Sequence, residues 1–300
     1  MKNNKNTVLG YAAVCSFLCL SGISFVWTKR LLENGFPVFT IVLIRLVIGA
    51  AFLLSVLKLS GKLEVIKRKD WLFLIALATG EPFIYFIGED FGMKYADASF
   101  ASVMMALVPV AVAFAVPFVY GTKIKKRLVG GAVVSLAGIC LMSFDSGGFM
   151  YDIRGVLLFV LALCAAVWYN IVLQKLLKSY GAFTVTAYMN MIGALMYLPL
   201  FFIFDFPYVG DLNWDSAALT DLVCLGVLCS AGSYGLYAFA SSQLGVEKVS
   251  VFNNVAPVVT VFAAVGMGME TFSVRKVIGV LIVVISVILS QSEWNPCKKV

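Results

Sequence analysis

Long apolar runs, each about twenty residues and separated by short polar stretches, set the pattern of this chain. They lie near 8–28, 36–57, 71–93, 98–120, 127–144, 154–175, 182–204, 219–243, 248–268 and 275–291. A bilayer core is about 30 Å thick and a helix crosses it with about 20 apolar residues, so each run predicts a spanning helix. Strands of a membrane barrel would alternate apolar and polar residues in segments of roughly ten, whereas these runs are continuous. The expected fold is an all-α integral membrane protein with ten transmembrane helices.

Composition agrees. The 300 residues are 61% hydrophobic and 13% charged, with mean hydropathy +0.97, against roughly 45–50% apolar and about 25% charged in soluble domains. The net charge of +7 does not point to nucleic acid, because the basic residues form short clusters between apolar runs, as in cytoplasmic loops. With the N-terminus inside, the inner segments hold Lys2, Lys5, Lys58, Lys62, Lys67, Arg68, Lys69, Lys123, Lys125, Lys126, Arg127, Lys175, Lys178, Lys248, Lys298 and Lys299. Only Lys29, Arg30, Lys94, Arg154, Arg275 and Lys276 fall outside, and Arg45 lies within a span. This positive-inside bias places both termini in the cytoplasm. Asp205, Asp211, Asp215 and Asp221 gather in the longest external loop, and Trp71, Trp214 and Trp294 mark span ends.

The first run shows no A-x-A-like cleavage site before Lys29-Arg30 and reads as a retained helix. Histidine is absent and no Walker-type phosphate loop occurs, so proton chemistry falls to carboxylates. Six of the seven cysteines lie inside apolar segments without a C-x-x-C, and read as small core residues rather than metal ligands or disulfides. No catalytic set, metal site or cofactor is expected, and a membrane enzyme would need a convergent motif that the chain does not show. A channel or receptor is the other rival class.

The chain also repeats itself. An offset of 148 pairs Ser102 with Ser250, Val103 with Val251, Pro109 with Pro257, Val110 with Val258 and Phe114 with Phe262. The same offset pairs Ala115 with Ala263, Arg127 with Arg275, Val129 with Val277 and Gly131 with Gly279. Upstream, an offset of 145 pairs Gly10 with Gly155, Leu18 with Leu163, Cys19 with Cys164, Leu31 with Leu176 and Leu32 with Leu177. Two five-helix halves follow, 1–144 and 154–292, with a cytoplasmic tail at 293–300. Five is odd, so the halves enter the membrane from opposite sides, an inverted repeat of the kind that flanks a midplane site in transporters.

Three stretches carry a resemblance: K-Y-A-D-A-S-F-A-S-V-M-M-A-L-V-P-V (Lys94 to Val110), L-G-V-E-K-V-S-V-F-N-N-V-A-P-V-V (Leu244 to Val259) and M-E-T-F-S-V-R-K-V-I-G-V-L (Met269 to Leu281). They resemble the signature of EamA-type transporters of the drug/metabolite transporter superfamily. The likeness implies ten helices around a central cavity, both termini inside, and movement of small metabolites, amino acids or related compounds, often as export. It implies the bilayer and a small-molecule substrate as partners, in a bacterial cytoplasmic membrane. Two positions depart from the family pattern: its W-G in the first helix is Ser21-Gly22, and its acidic residue after the fourth helix is Thr122, though Glu270 keeps it in the second half.

Polar residues within the spans are the candidate site. Glu81 lies ten residues into the third span, about 15 Å deep and near the midplane. Facing lipid there, an ionised carboxylate would cost roughly 2.5 kcal/mol or more, so Glu81 must face protein or a watery cavity. Pro82 cannot donate to Ala78 and disfavours helical geometry at Glu81, which predicts a break over Thr79 to Pro82. Such a carboxylate, neutral when dry and charged beside a cationic substrate or Arg45, suits proton exchange. The bland alternative is a proline bend with Glu81 accepting a buried hydrogen bond.

Glu81, Tyr85 and Glu89 share a helical face and Asp90 points away from it. Arg45 lies at a depth similar to Glu89 and is expected to pair with it, while Asp90 is expected to pair with Lys94 at the rim. Gly88 and Gly92 form G-x-x-x-G, which leaves a homodimer open without establishing one. Trp168, Tyr169 and Asn170, with Ser230, Ser233, Tyr234, Tyr237, Asn253 and Asn254, suit hydrogen bonding and stacking to a small ligand. Each is also explicable as packing, and Pro109 and Pro257 are expected kinks.

Overall fold

A bilayer offers the backbone no hydrogen-bond partner, so apolar runs of this length close their own bonds as helices. In the computed structural model, residues 2–111, 115, 126–145, 148–149, 151–252, 255–271 and 273–291 are described. They form α1 (Lys2–Glu33), α2 (Val38–Leu59), α3 (Trp71–Ala78), α4 (Tyr85–Gly92), α5 (Ala98–Met105), α6 (Lys126–Ser143) and α7 (Ile153–Leu176). Then come α8 (Ala182–Leu200), α9 (Ser216–Cys224), α10 (Tyr234–Leu244), α11 (Val246–Phe252), α12 (Ala256–Gly266) and α13 (Val274–Gln291). A two-residue ladder, Phe144–Asp145 with Gly148–Phe149, is the only strand pairing among the described residues.

Among the described residues six helical segments are long and apolar enough to cross a membrane: Thr7–Glu33, Val38–Leu59, Arg68–Gly92, Ile153–Leu176, Ala182–Asp211 and Ser216–Leu244. Ala98–Ala111 and Ala256–Gly266 are shorter apolar helices. The protein is an integral membrane protein built from helices.

Two of the long segments are interrupted midway by wide π-type turns, and a third, Ala182–Asp211, passes through another at Phe201–Asp205 near its end. Between α3 and α4 the chain passes through Thr79–Ile84, with Glu81 at φ −138°, ψ 120° and a cis Glu81-Pro82 peptide. The expected break is there. Side chains hydrogen-bond carbonyls on either side of it: Thr79 Oγ1 donates to Ile75 O (2.8 Å), the Trp168 indole to Ala76 O (2.8 Å) and the Tyr197 hydroxyl to Phe83 O (2.7 Å), the first two carbonyls also accepting from the Thr79 amide. Between α9 and α10 the second turn, Leu225–Ser233, forms without a proline. Pro109 lacks the N–H that would reach Met105, and the helix loosens at Ala106–Leu107 before resuming. Pro257 instead stands in the first turn of α12, where a missing N–H removes no helical bond.

Packing corrects several expectations. A side chain on Gly88 would lie 2.4 Å from the Leu158 carbonyl, and one on Gly92 2.8 Å from the Phe159 ring. The G-x-x-x-G face is therefore spent on α7 of the same chain, and gives no support to a dimer. Cys15, Cys19, Cys140 and Cys164 are exposed, and among the described cysteines only Cys229 is buried; on helices apolar all round, small residues serve the outer face as readily as the core. The loop acids are not simple surface charges either. Asp205 is buried and accepts from the Thr40 amide (2.7 Å) and hydroxyl (3.0 Å), Asp221 is clasped by Arg30, and Asp215 caps α9 through Ala218 N (2.7 Å). Asp205 and Asp221 tie neighbouring elements together, and Asp215 closes the start of its own helix.

Because the atom that Gly88 faces is backbone and cannot swing aside, Gly88→Ala should lower stability in detergent by about 1–3 kcal/mol, read from thermal unfolding. At Gly130, where an added Cβ meets nothing within 4 Å, the same change should not lower it.

Candidate functional site

The helix break does more than bend the chain. It turns Glu81 into a cavity of about 80 Å³ bounded by α1, α2, α4, α7, α10, α11 and the π-type turns at Thr79–Ile84 and Leu225–Ser233. The Tyr234 hydroxyl donates to Glu81 Oε1 (2.6 Å). One turn up α4, the Tyr85 hydroxyl donates to Glu89 Oε1 (2.8 Å). Glu81, Tyr85 and Glu89 line the cavity together and Asp90 does not, as the helical phase predicts. Each carboxylate commits one oxygen to a tyrosine, and among the described residues no protein donor is recorded for the other.

Arg45 lines the same cavity and is 3% exposed. The expected ion pair with Glu89 is not formed within 4 Å. Instead Arg45 Nε donates to Ser230 Oγ (3.1 Å) and the guanidinium lies 4.3 Å from the Phe86 ring centroid. A guanidinium stacks on a ring face as well as it pairs with a carboxylate, and this arrangement leaves its outer N–H groups free of a recorded protein bond. Asp90 corrects the sequence reading more sharply. It is 0% exposed with both oxygens unpartnered, while Lys94 lies over the Phe91 ring at 5.1 Å. Helical phase decided this: the side of α4 away from the cavity meets packed protein rather than the rim.

On α7, Asn170 Oδ1 accepts from the Tyr237 hydroxyl (2.5 Å) and its amide donates to Ala166 O (2.7 Å). The Tyr169 hydroxyl is buried at the cavity wall without a partner. Trp168 is different: it is 51% exposed, does not line the cavity and donates to the Ala76 carbonyl beside the break, with Gly80 leaving room for its ring. Asn253 and Asn254 lie outside the described residues.

Sequence reasoning missed α1. Phe17, Ser21, Ser24 and Phe25 line the cavity, as do Phe86 and Ser250. The spacing i, i+4, i+7, i+8 was a usable signal, since it puts two serines on one face of an apolar helix. Aromatic rings close the walls: Phe17 meets Tyr237 edge-on at 5.3 Å and Tyr169 meets Tyr234 at 6.5 Å. Among the described residues no three His, Cys, Asp or Glu side chains are placed to hold a metal.

A sequence model of the EamA-like transporter family matches residues 8–144 and again 153–291. The chain belongs to the EamA family. Its relatives agree with that. An uncharacterized transporter of Bacillus subtilis (strain 168), YcxC, is 24% identical over 287 residues, 93% of this chain and 91% of its own length. A WAT1-related chloroplast protein of Arabidopsis thaliana is 22% identical, covering 96% of this chain and 71% of its own. A crystal structure of a 19% identical protein superposes with a TM-score of 0.68 over 96% of this chain and 97% of that one, which shows a shared fold. Family and relatives alike mark a transporter rather than an enzyme.

If Trp168 serves the helix break and not the ligand, Trp168→Phe should cost about 1 kcal/mol of stability, the usual net worth of one hydrogen bond. Transport by the folded fraction should keep its KM, so an altered KM would return Trp168 to the binding site.

Proposed function

We propose that this EamA-family chain is a secondary active transporter of small zwitterionic or cationic metabolites, amino acids or close relatives, working by alternating access with proton coupling at Glu81. The observation that carries the reading is one carboxylate: Glu81 sits at a break in a membrane-spanning helix and faces a polar cavity that also contains Arg45. Broken helices of this kind form the midplane sites of transporters.

Ten spans in two inverted halves, 1–144 and 154–292, belong to the proposal. The family model matching twice supports it. So does the repeat register, which carries Thr79–Ile84 onto residues 227–232, inside the second π-type turn. Cys229 and Tyr237, opposite Glu81 and Glu89 in that register, line the same cavity. Both termini on the cytoplasmic side of a bacterial inner membrane complete the reading.

The chemistry favours an ammonium group. Glu81 and Glu89 each hold an oxygen free of recorded protein donors, and Tyr169 adds an unpartnered hydroxyl. Arg45, bonded only through Nε, can take a carboxylate in the bidentate manner of its planar fork. Aromatic rings from α1, α4, α7 and α10 suit a cation's apolar body. When Glu81 takes a proton it loses its hold on the ammonium group, and that competition couples the two.

In proteoliposomes loaded with amino acid pools, wild-type protein should give saturable counterflow that responds to an imposed pH gradient. Glu81→Gln should retain the fold and lose the pH response. Wild-type coupling in that variant would sink the proton role, and steady conductance in place of saturable counterflow would sink the transporter reading.

A further inference from the structure

Away from the cavity, one cluster of charges ties the two halves together. Lys276, in the first turn of α13, has its Nζ 2.5 Å from Asp97 Oδ2 and 3.0 Å from Glu270 Oε2. Asp97 caps α5 through Phe100 N (2.8 Å) and accepts from the Tyr151 hydroxyl (2.8 Å), on the segment between the halves. Glu270 accepts from the Ser99 amide (3.1 Å) and hydroxyl (2.7 Å). The α4–α5 connection and the α12–α13 connection are thus held by one lysine between two carboxylates. On the same connection Lys29 of α1 donates to the Met93 (2.8 Å) and Ala96 (2.9 Å) carbonyls.

The repeat register gives this cluster its meaning. It sets Gly245, Thr122 and Leu128 opposite Asp97, Glu270 and Lys276, so none of the three charges has a charged counterpart in the other half. In a symmetric rocker the two faces would close alike. Among the described residues the opposite ends of the spans are tied without a cation, Glu64 accepting from the Gly181 amide (2.8 Å) and Asp70 from the Tyr180 hydroxyl (2.6 Å), so only the first face has a lysine between two carboxylates.

We infer that Asp97, Glu270 and Lys276 form a one-sided latch, which holds the transporter shut on the face of the α4–α5 and α12–α13 connections and biases it at rest toward loading from the opposite face. The inference rests on the alternating-access reading, and with the orientation proposed above the latched face is external. Every member is hydrogen-bonded when the latch is closed, so it is a specific closed state rather than a loose attraction. The cluster is also near enough to water for the charges to be rehydrated when the face opens. Lys276 is the critical member, because without it two carboxylates face each other unneutralised.

The test is amide hydrogen exchange of the full chain in lipid nanodiscs, which needs no substrate. Lys276→Met should speed exchange over residues 98–105 and 264–271 about ten- to a hundredfold, the effect of losing one or two charge-assisted hydrogen bonds. Exchange over residues 176–185, at the opposite ends of the spans, should stay at the wild-type rate, and Lys276→Arg should keep the latched segments slow. Unchanged exchange in Lys276→Met, or equal acceleration at both ends, overturns the latch. Should Lys276→Met fail to fold, Glu270→Gln is measured in the same way, with smaller acceleration confined to the same segments expected. A failed proton response at Glu81 would leave this result readable, so the two ideas stand or fall separately.

Discussion

A carboxylate carried into the middle of an apolar helix has to be given partners that the bilayer cannot supply, and much of the core follows from how Glu81 obtains them. Its backbone leaves helical geometry, its side chain turns inward, and Tyr234 reaches it from the far half of the sequence. That bond brings α10 against the α3–α4 break. Three further side chains, from Thr79, Trp168 and Tyr197, hydrogen-bond carbonyls that flank the break.

Close approach depends on missing side chains. A Cβ on Gly193 would lie 2.4 Å from the Pro82 ring, one on Gly80 2.5 Å from the Trp168 indole, and one on Gly226 2.5 Å from Ile48. Small residues thus let α8 and α7 press on the break from two sides and let the second π-type turn sit on α2. Without an aqueous hydrophobic effect between helices, such packing is a main source of cohesion within a membrane. The glycines and the buried polar groups are two parts of one solution, since short interhelical distances are what allow tyrosine and tryptophan to reach backbone oxygens.

The halves share a plan and divide the labour. The carboxylates of the cavity come from the first, while the second supplies Tyr234, Tyr237 and Ser230 as their partners or as partners of Arg45 and Asn170. Outside the cavity the pattern is again unequal, with Glu270 and Lys276 of the second half answering Asp97 and Ser99 of the first. The two matched stretches therefore share a family pattern while carrying its charge unequally.

The sequence by itself determined the solvent and the elements. Apolar runs of bilayer length leave helices as their only stable form, Pro82 locates the break, and the period of the helix puts Glu81, Tyr85 and Glu89 on one face with Asp90 off it. The self-similarity at an offset of 148 was equally legible. Tertiary structure decided the partners, because depth and phase along one helix say nothing of which neighbour stands opposite. Arg45 and Glu89 lie at a similar depth, yet Arg45 stacks on Phe86 and bonds Ser230. Asp90 and Lys94 have ideal helical spacing, yet packing buries one while the other rests on Phe91. Trp168 and Tyr169 are adjacent in the chain, and only the rotation of α7 against the break sends one outward to a carbonyl and the other to the cavity.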